Sequence, residues 1–463
     1  MIDMPTNKNR FAHASLFIFM IISVLMVIKG LITAQPGDEN VYYYMGKLIS
    51  EGKVPYRDFF FAHPPLHIYL IALVYKIFGF NIIALKSIPL ISTLITAFFI
   101  FKIAKRKFGN FEAVISSLLF LFSYSVMFNS VFSFGINLAT MFLVIGVYLL
   151  LNKNNYILSG IFFGLAGITR LLSVIPISVF LIAALSSNKK NSLKLLAGFF
   201  IIFLLVNGIF ILFLGGDYLA QVYKFHFLKD PDTKENFKEY TDIVKLNWIL
   251  FLSAFSFIFV KEKKPAGMFA VVSIVYLILL MALKRIFGFY FIIVIPFLAL
   301  LGGYSLVNTF RRFKLSKKAV IAISLALLSI FAWNLAADVL FLEKVGFPGF
   351  ERGNDMINFV NLNSNKETLL FGDESVVPLL ALLTNKKIAL DFVDTNNQVF
   401  ISGIGDLARL LSDLKGKDVL FIIRSKQGIS YFKEVREFLD KNCEFLSQFH
   451  DKIEGDYLIY RCR

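Results

Sequence analysis

Long apolar runs separated by short polar loops dominate the chain. Most of them have roughly the 17 to 23 residues that an α-helix needs to cross the hydrocarbon core of a membrane. The pattern predicts a polytopic protein with about 11 spans. We expect these spans at about residues 15–34, 82–103, 111–128, 136–151, 156–168, 171–185, 193–214, 246–260, 268–283, 289–307 and 319–336.

The basic residues between the runs predict an orientation. Clusters such as Lys105-Arg106-Lys107 and Arg311-Arg312 are typical of cytoplasmic loops. The apolar run at 66–78 is too short to span, so we expect it to lie along the membrane surface or to re-enter the membrane. Residues 35–81 then form an outer loop with interfacial helices, and residues 215–245 form a second outer loop.

A second arrangement of the same runs remains open. Residues 65–79 would then cross the membrane, and residues 156–186 would form one long helix. The later topology would not change, but Lys105-Arg106-Lys107 would lie outside. Both arrangements place the chain after the last span on the outer side.

Residues 337–463 have the composition of a soluble domain. Strands alternating with helices predict a small α/β layer closed by a hairpin. We expect strands at 368–371, 387–390 and 418–423, helices at 376–383, 406–414 and 431–441, and hairpin strands at 444–448 and 457–461. The only cysteines, Cys443 and Cys462, could form a disulfide or remain two free thiols.

Composition narrows the class of protein. Of the 463 residues, 57% are hydrophobic, so one soluble core could not bury them. The net charge of +16 comes from basic residues between apolar runs, which favours a role in topology over nucleic-acid binding. The C-terminal domain has no Walker motif and no Gly-x-Gly-x-x-Gly fingerprint, which argues against a nucleotide-driven pump.

An acidic pair, Asp38-Glu39, directly follows the first predicted span and precedes three tyrosines. A carboxylate held at the membrane surface can act as a general base. Solvation of the loop or capping of the following helix would also account for such a pair. Further along the same loop, Asp58 and His63 are candidates for catalysis or for structural hydrogen bonds.

The acidic pair, together with the later segment His63-Pro64-Pro65-Leu66, resembles the polytopic GT-C glycosyltransferases. The likeness is to the protein O-mannosyltransferase and aminoarabinose transferase group, glycosyltransferase family 39, and it covers roughly residues 16–304. It implies a GT-C-like transmembrane catalytic domain over residues 1–336, with a small extracytoplasmic α/β domain behind it. The implied reaction transfers a sugar, with inversion, from a polyprenyl or dolichyl phosphate carrier to an acceptor on the outer face.

The resemblance carries over to individual residues. Asp38 matches the catalytic acid of the family's Asp-Glu pair. The mannosyltransferases also have an Asp two residues before His-Pro-Pro, whereas here the nearest carboxylate is Asp58. The Trp-Trp-Asp signature of oligosaccharyltransferases is absent, which disfavours transfer of whole oligosaccharides to Asn. The predicted catalytic residues are Asp38, Glu39, Asp58 and His63.

A phosphate leaving group requires cationic and hydrogen-bonding side chains. Arg170 stands between two short apolar segments, where a broken helix would open to a polar cavity. The predicted donor phosphate-binding residues are Arg57, Arg170, His226, Lys229, Arg285 and Tyr290. Snorkelling or membership of the interfacial aromatic belt would also explain several of them.

Two further interpretations complete the prediction. Asp38, Glu39 and Asp58 could hold a divalent metal, although no ligand spacing requires one. Asp373-Glu374-Ser375 and residues 391–394 are expected to cap helices and turns of the α/β domain.

The expected setting is a multi-pass protein of the cell membrane. Its partners would be a lipid-phosphate-linked sugar and a glycan, lipid or protein acceptor. A lipid or solute transporter or flippase, and a non-catalytic scaffold, are the rival classes. A transporter would more often show repeated halves and ionisable groups at mid-membrane.

Overall fold

The computed structural model describes residues 6–187, 189–312, 317–425, 428–452 and 455–463. Its long helices follow the apolar runs of the sequence. The α-helices are α1 Thr6–Met26, α2 Ile28–Ile32, α3 Glu39–Ser50, α4 Leu66–Phe78, α5 Ile82–Lys107, α6 Asn110–Leu121, α7 Tyr124–Asn129, α8 Ile136–Tyr148, α9 Tyr156–Gly167, α10 Val174–Ser187, α11 Lys189–Leu219, α12 Phe225–Leu228, α13 Thr233–Leu246, α14 Trp248–Phe255, α15 Gly267–Met281, α16 Ile295–Arg312, α17 Lys317–Phe341, α18 Gly353–Leu362, α19 Val377–Thr384, α20 Asn397–Ile401, α21 Leu407–Leu414 and α22 Lys433–Asn442.

Short 3-10 and π-helical turns extend or join several of these helices. They lie at Leu149–Lys153, Leu171–Ser173, Ala220–Lys224, Ser256–Phe259, Gly288–Ile293, Leu342–Gly346, Ala389–Asp391 and Gly428–Tyr431. Within the described residues, five helices are long and apolar enough to cross a membrane, or six if the bent pair Thr233–Leu246 and Trp248–Phe259 counts as one span. Five apolar helices of 10–17 residues accompany them. The predicted total of about 11 spans stays a prediction.

The chain divides into two compact units. The first, which we call the transmembrane unit, contains residues 1–31, 86–208 and 232–346. Its helices approach closely at small residues, as is typical of membrane bundles. A Cβ on Gly160 would lie 2.1 Å from the carbonyl oxygen of Leu195, and one on Gly198 would lie 2.2 Å from that of Ile157. Glycine at both positions is what allows α9 and α11 to pack backbone against backbone.

The second, which we call the loop unit, contains residues 32–85, 209–231 and 347–463. It therefore joins the first predicted outer loop, much of the second, and the predicted C-terminal domain. Its sheet has strands β1 Leu369–Gly372, β2 Val419–Arg424, β3 Cys443–Asp451 and β4 Gly455–Cys462 in the order β1-β2-β4-β3. β1 and β2 pair in parallel, and the other two pairs are antiparallel.

The sheet packs against α21 and α22 through a buried apolar core that includes Phe421, Leu411 and Val435. The predicted hairpin and the predicted helices of this domain are confirmed, within three residues at each end. Cys443 and Cys462 form a disulfide that joins paired residues of β3 and β4.

One predicted strand is wrong. Residues 387–390 form only a single bridge, between Ile388 and Leu370, and then enter a 3-10 turn. Leu390 and Asp391 have φ angles of 59° and 52°. A left-handed backbone cannot continue a strand, so the pairing with β1 ends there.

Candidate active site

The loop before α3 presents Asp38 to solvent. Asn40 is completely buried, and its amide donates hydrogen bonds to the carbonyls of Gln35 and Gly37, at 2.8 and 3.0 Å. These bonds fold the loop back onto the start of the helix. Asp38 occupies the N-cap position of α3 without a side-chain cap, and it is exposed. Its carboxylate is therefore held at a fixed backbone position at the surface.

Glu39 has a different environment from its neighbour. Its side chain is only 1% exposed, and Tyr43 Oη donates a hydrogen bond to its Oε2 at 2.9 Å. This bond spans one turn of α3. Of the two acids in the pair, Asp38 is thus the one that is accessible from solvent, while Glu39 is packed into the helix.

The C-terminal part of the loop unit holds this first loop in place. Gly37 N donates to the carbonyl of Ser375 at 2.9 Å. Ile388 N donates to Tyr44 Oη at 2.8 Å, and Lys53 Nζ forms an ion pair with Asp391 at 2.8 Å. Three contacts spread along α3 and its following turn therefore fix the acidic pair relative to the sheet.

These contacts bring Asp38 close to two further carboxylates, Glu374 and Asp394. Burial raises the pKa of Glu374 well above its ordinary value, and the negative charges of Asp373 and Asp38 add to the shift. Burial also raises the pKa of Asp394 to about 6; Asp38 contributes in the same direction, and the positive charge of Lys229 opposes it. We call Asp38, Glu374 and Asp394 the carboxylate cluster.

Asp373 lies next to the cluster and is neutralised by an ion pair. It is completely buried, and Arg424 Nε approaches its Oδ2 at 2.9 Å. Its Oδ1 accepts a hydrogen bond from Ser375 N at 3.0 Å. Gly428, which has a φ of +58°, leaves room here, because a Cβ would lie 2.5 Å from Asp373 Oδ2.

The expected capping of a turn by Asp373-Glu374-Ser375 is present, because Asp373 Oδ1 accepts hydrogen bonds from Ser375 N and Ser375 Oγ directly before α19. The N-cap of α19 is Val376, which makes no side-chain cap bond. Asp394 does serve a turn, accepting from Asn396 N at 3.1 Å, but it also belongs to the cluster. A sequence signal for Glu374 existed, because it follows β1, and the carboxyl ends of parallel strands commonly line ligand sites.

The acidic residue of the later motif is engaged by its neighbour. Arg57 donates from Nε to Asp58 Oδ1 at 2.9 Å and from Nη2 to Oδ2 at 3.1 Å. Val54 N also donates to Asp58 Oδ2, at 2.7 Å. The hydrogen bond with Arg57 is the main cause that lowers the pKa of Asp58. Arg57 and Asp58 therefore bind each other, which rigidifies the turn at 54–59.

The two predicted histidines come together. The rings of His63 and His226 stack at 5.7 Å between centroids, and His226 Nε2 donates to the carbonyl of Ala62 at 2.9 Å. Lys229 follows on the same segment and lies over the ring of Phe225 at 4.8 Å. The proline-rich motif and the predicted cationic segment of the second outer loop thus form one patch.

The remaining predicted phosphate ligands belong to the transmembrane unit. Arg170 is only 4% exposed and lies where α9 has ended and a 3-10 turn begins, as the broken-helix prediction requires. Arg285 lies 3.9 Å from Asp232, and Tyr290 is buried with its carbonyl accepting a hydrogen bond from Tyr276 Oη at 2.7 Å. Among the described residues, no group of three or more His, Cys, Asp or Glu is arranged to hold a metal ion, and Asp38, Glu39 and Asp58 form no such group.

The fold matches known membrane glycosyltransferases over nearly the whole chain. A crystal structure of ArnT from Cupriavidus metallidurans bound to undecaprenyl phosphate matches with a TM-score of 0.67 and 13% identity, covering 96% of this chain and 97% of that one. Archaeal oligosaccharyltransferase AglB from Archaeoglobus fulgidus, in complex with an inhibitory peptide and a dolichol-phosphate, matches at 0.57 and 12% identity, covering 98% and 74%. Arabinofuranosyltransferase AftD from Mycobacteria matches at 0.51 and 12% identity, covering 96% and 41%.

These matches define the class: the chain has the fold of the GT-C glycosyltransferases. Residues 62–211 also match the family profile of dolichyl-phosphate-mannose-protein mannosyltransferases, a segment that begins just before His63. No curated protein sequence matches the chain at a significant level. The predicted resemblance to the mannosyltransferase and ArnT group is confirmed.

Proposed function

We propose that the chain is an inverting membrane glycosyltransferase that moves a sugar from a polyprenyl or dolichyl phosphate to an acceptor hydroxyl or amine. One observation carries the proposal: the exposed carboxylate of Asp38 stands at the first helix start after α1 and α2, in a chain with the GT-C fold. The family match at 62–211 and the ArnT structure with undecaprenyl phosphate support a lipid-phosphate donor. A lipid or solute transporter is not favoured, because the matched structures are transferases.

In the proposed step, Asp38 accepts the proton of the acceptor hydroxyl while the acceptor oxygen bonds to the anomeric carbon. The bond from that carbon to the phosphate oxygen breaks, and the lipid phosphate leaves with the electron pair. A carboxylate suits the first role, and cations suit the second. Attack from the face opposite to the phosphate inverts the anomeric centre.

The phosphate is assigned to the patch formed by His63, His226 and Lys229 of the loop unit. Arg170 and Arg285, which belong to the transmembrane unit, are separate candidates for the same role. Lys229 is cationic, and the imidazole of His63 can donate a hydrogen bond to a phosphate oxygen. His226 Nε2 already donates to Ala62, so His226 can donate to the phosphate only through Nδ1 in its protonated form. Arg57 and Asp58 are assigned to positioning the loop, because each already holds the other. Glu39 is assigned to orienting α3 through Tyr43.

We further propose that the loop unit lies on the outer face of the cell membrane. The basic loops of the transmembrane unit would lie on the cytoplasmic face. The positive-inside rule supports this orientation. Acceptors available on that face include glycans, lipids and proteins, and the donor would arrive from the bilayer.

The test is a transfer assay on the full chain in lipid nanodiscs. The probes are polyprenyl monophosphates carrying mannose, glucose, arabinose or 4-amino-4-deoxyarabinose, and mass spectrometry follows loss of the sugar from the lipid. Asp38→Asn should lower turnover by roughly 100-fold or more, because an amide cannot take the proton. Glu39→Gln should have a smaller effect.

The matched control is Asp413→Asn, an exposed acid on α21 that pairs with Arg409 at 3.8 Å. It should turn over at the parent rate. Donor binding should survive in Asp38→Asn, which separates loss of the base from loss of the fold. Near-parent turnover by Asp38→Asn would remove Asp38 from the mechanism and make Glu374 or Asp394 the candidate base.

A further inference from the structure

Helix α17, the last long apolar helix, carries an acidic residue inside its apolar span. The window from Leu325 to Gly346 is among the candidate membrane spans, and only 6% of it is buried within the protein. Asp338 lies within this window and is partly buried. A carboxylate in a membrane helix is costly unless it faces a polar partner or a cavity.

A short chain of hydrogen bonds holds one oxygen of this carboxylate, Asp338 Oδ2. Trp248 Nε1 donates to Asn334 Oδ1 at 2.7 Å, and Asn334 Nδ2 donates to Asp338 Oδ2 at 2.7 Å. Among the described residues, no group donates to Asp338 Oδ1 and no lysine or arginine forms an ion pair with it. These hydrogen bonds orient the carboxylate but leave its charge uncompensated.

The carboxylate opens onto a narrow groove in the transmembrane unit, with a volume of about 20 Å³. The groove lies where α14 begins, after the chain bends by 81° between α13 and α14. Its walls are apolar, with Phe122, Leu250 and Phe331 among them, and its polar lining includes Asn247, Asn334 and Asp338. A narrow groove with one acidic end admits a small cationic group, and the rest of an amphiphile would stay in the bilayer beside it.

The two tryptophans indicate the level in the membrane at which the groove lies. They are the only tryptophans of the chain: Trp248 is 40% exposed at the start of α14, and Trp333 is 81% exposed on α17. Tryptophan is enriched at the level of the lipid headgroups. Asp338 is therefore expected near the interface, where lipid headgroups are found.

We propose that this groove is a binding site for a lipid with a primary ammonium headgroup, of the phosphatidylethanolamine type. The ammonium supplies both the positive charge and the N–H donors that Asp338 Oδ1 can accept. A choline headgroup has the charge but no N–H donor. An anionic headgroup such as glycerol phosphate would be repelled by the carboxylate.

The test uses Trp248 as the reporter. Trp333→Phe leaves it as the single tryptophan, beside the groove, and lipids brominated on the acyl chain quench a nearby indole. The Trp333→Phe chain is placed in nanodiscs of phosphatidylcholine containing a small fraction of brominated phosphatidylethanolamine, brominated phosphatidylcholine or brominated phosphatidylglycerol. Brominated phosphatidylethanolamine should quench at a concentration on the order of tenfold lower than the other two.

Two variants in the same background make the result specific. Asp338→Asn keeps an oxygen for Asn334 but loses the charge, so the preference for phosphatidylethanolamine should disappear. Asp338→Glu keeps the charge and should retain most of the preference for phosphatidylethanolamine. This result would show that Asp338→Asn acts through the lost charge and not through a disturbed fold. Equal quenching by all three lipids in the Trp333→Phe chain, or a preference that survives in Asp338→Asn, would overturn the proposal. A preference for phosphatidylglycerol would equally overturn it.

Discussion

Asp394→Asn should make the loop unit more stable at neutral pH, and the size of the gain can be worked out from the carboxylate cluster. Burial and the charge of Asp38 raise the pKa of Asp394 to about 6, whereas an aspartate in an unfolded chain titrates at about 3.9. The difference is roughly 2 pKa units, which corresponds to on the order of 3 kcal/mol. The asparagine can still accept the hydrogen bond from Asn396 N through its Oδ1.

The sign follows from which state holds the proton. Because the folded-state pKa is raised, the folded chain keeps a proton between about pH 4 and pH 6 that the unfolded chain releases. The stability of the parent therefore falls as the pH rises through that window and is level above it. The Asp394→Asn variant has no carboxylate to ionise, so its stability does not fall in this window. The difference in unfolding free energy between variant and parent should therefore be small near pH 4 and reach its full size by about pH 7.

The assay is hydrogen exchange of the β2 amides, Val419–Arg424, in the full chain at pH 4 and pH 8. Comparing parent and variant at the same pH cancels the intrinsic exchange rates. At pH 8 the variant should exchange up to about 100-fold more slowly; loss of the attraction to Lys229 will reduce the gain. Asp413→Asn, at an exposed site, should leave the rates unchanged.

Two results would contradict this prediction. In the first, the Asp394→Asn variant exchanges as fast as the parent at pH 8. In the second, it exchanges more slowly than the parent by the same factor at pH 4 and pH 8. Either result would show that ionised Asp394 does not destabilise the fold. The reasoning about the carboxylate cluster would then fail. The predicted result would instead mean that the natural residue weakens the fold, which is common where a side chain is retained for function.

Two further predictions concern the donor and the orientation. Arg170→Ala should weaken binding of undecaprenyl phosphate by roughly tenfold or more, as measured by titration of the chain in nanodiscs, because phosphate contacts to arginine are charge-assisted; an unchanged Kd would leave Arg170 a purely structural role. In intact cells, an impermeant maleimide should label Asp413→Cys and not Lys263→Cys. The native cysteines give no background because they form a disulfide, and labelling of Lys263→Cys would contradict the proposed orientation.

Much of the fold could be predicted because hydrophobic length and periodicity act locally. The run at 82–103 became the helix Ile82–Lys107, and the hairpin appeared where alternating residues flanked a turn. The strand expected at 387–390 failed because four apolar residues do not reveal the left-handed backbone at Leu390. A short apolar run predicts burial, but the backbone conformation that ends it depends on tertiary contacts.

The site could be predicted only in part, for a related reason. Asp38 is recognisable because it follows a membrane span and begins a motif. Glu374 and Asp394 are more than 300 residues away in sequence, and their environment depends on contacts such as that of Gly37 with Ser375. As isolated residues they fit turns and caps, which is why the sequence alone did not connect them with Asp38.

The charges around Asp38 bear on whether a phosphate donor could approach it at all. Four acids lie together, which by composition alone would repel a lipid phosphate. Arg424 neutralises Asp373 through an ion pair at 2.9 Å, and the raised pKa of Glu374 favours its uncharged form. Asp394, whose pKa is raised to about 6, is mostly ionised at neutral pH, and the positive charge of Lys229 partly offsets its negative charge. The negative potential that an anionic donor meets at the cluster is therefore smaller than four ionised acids would produce.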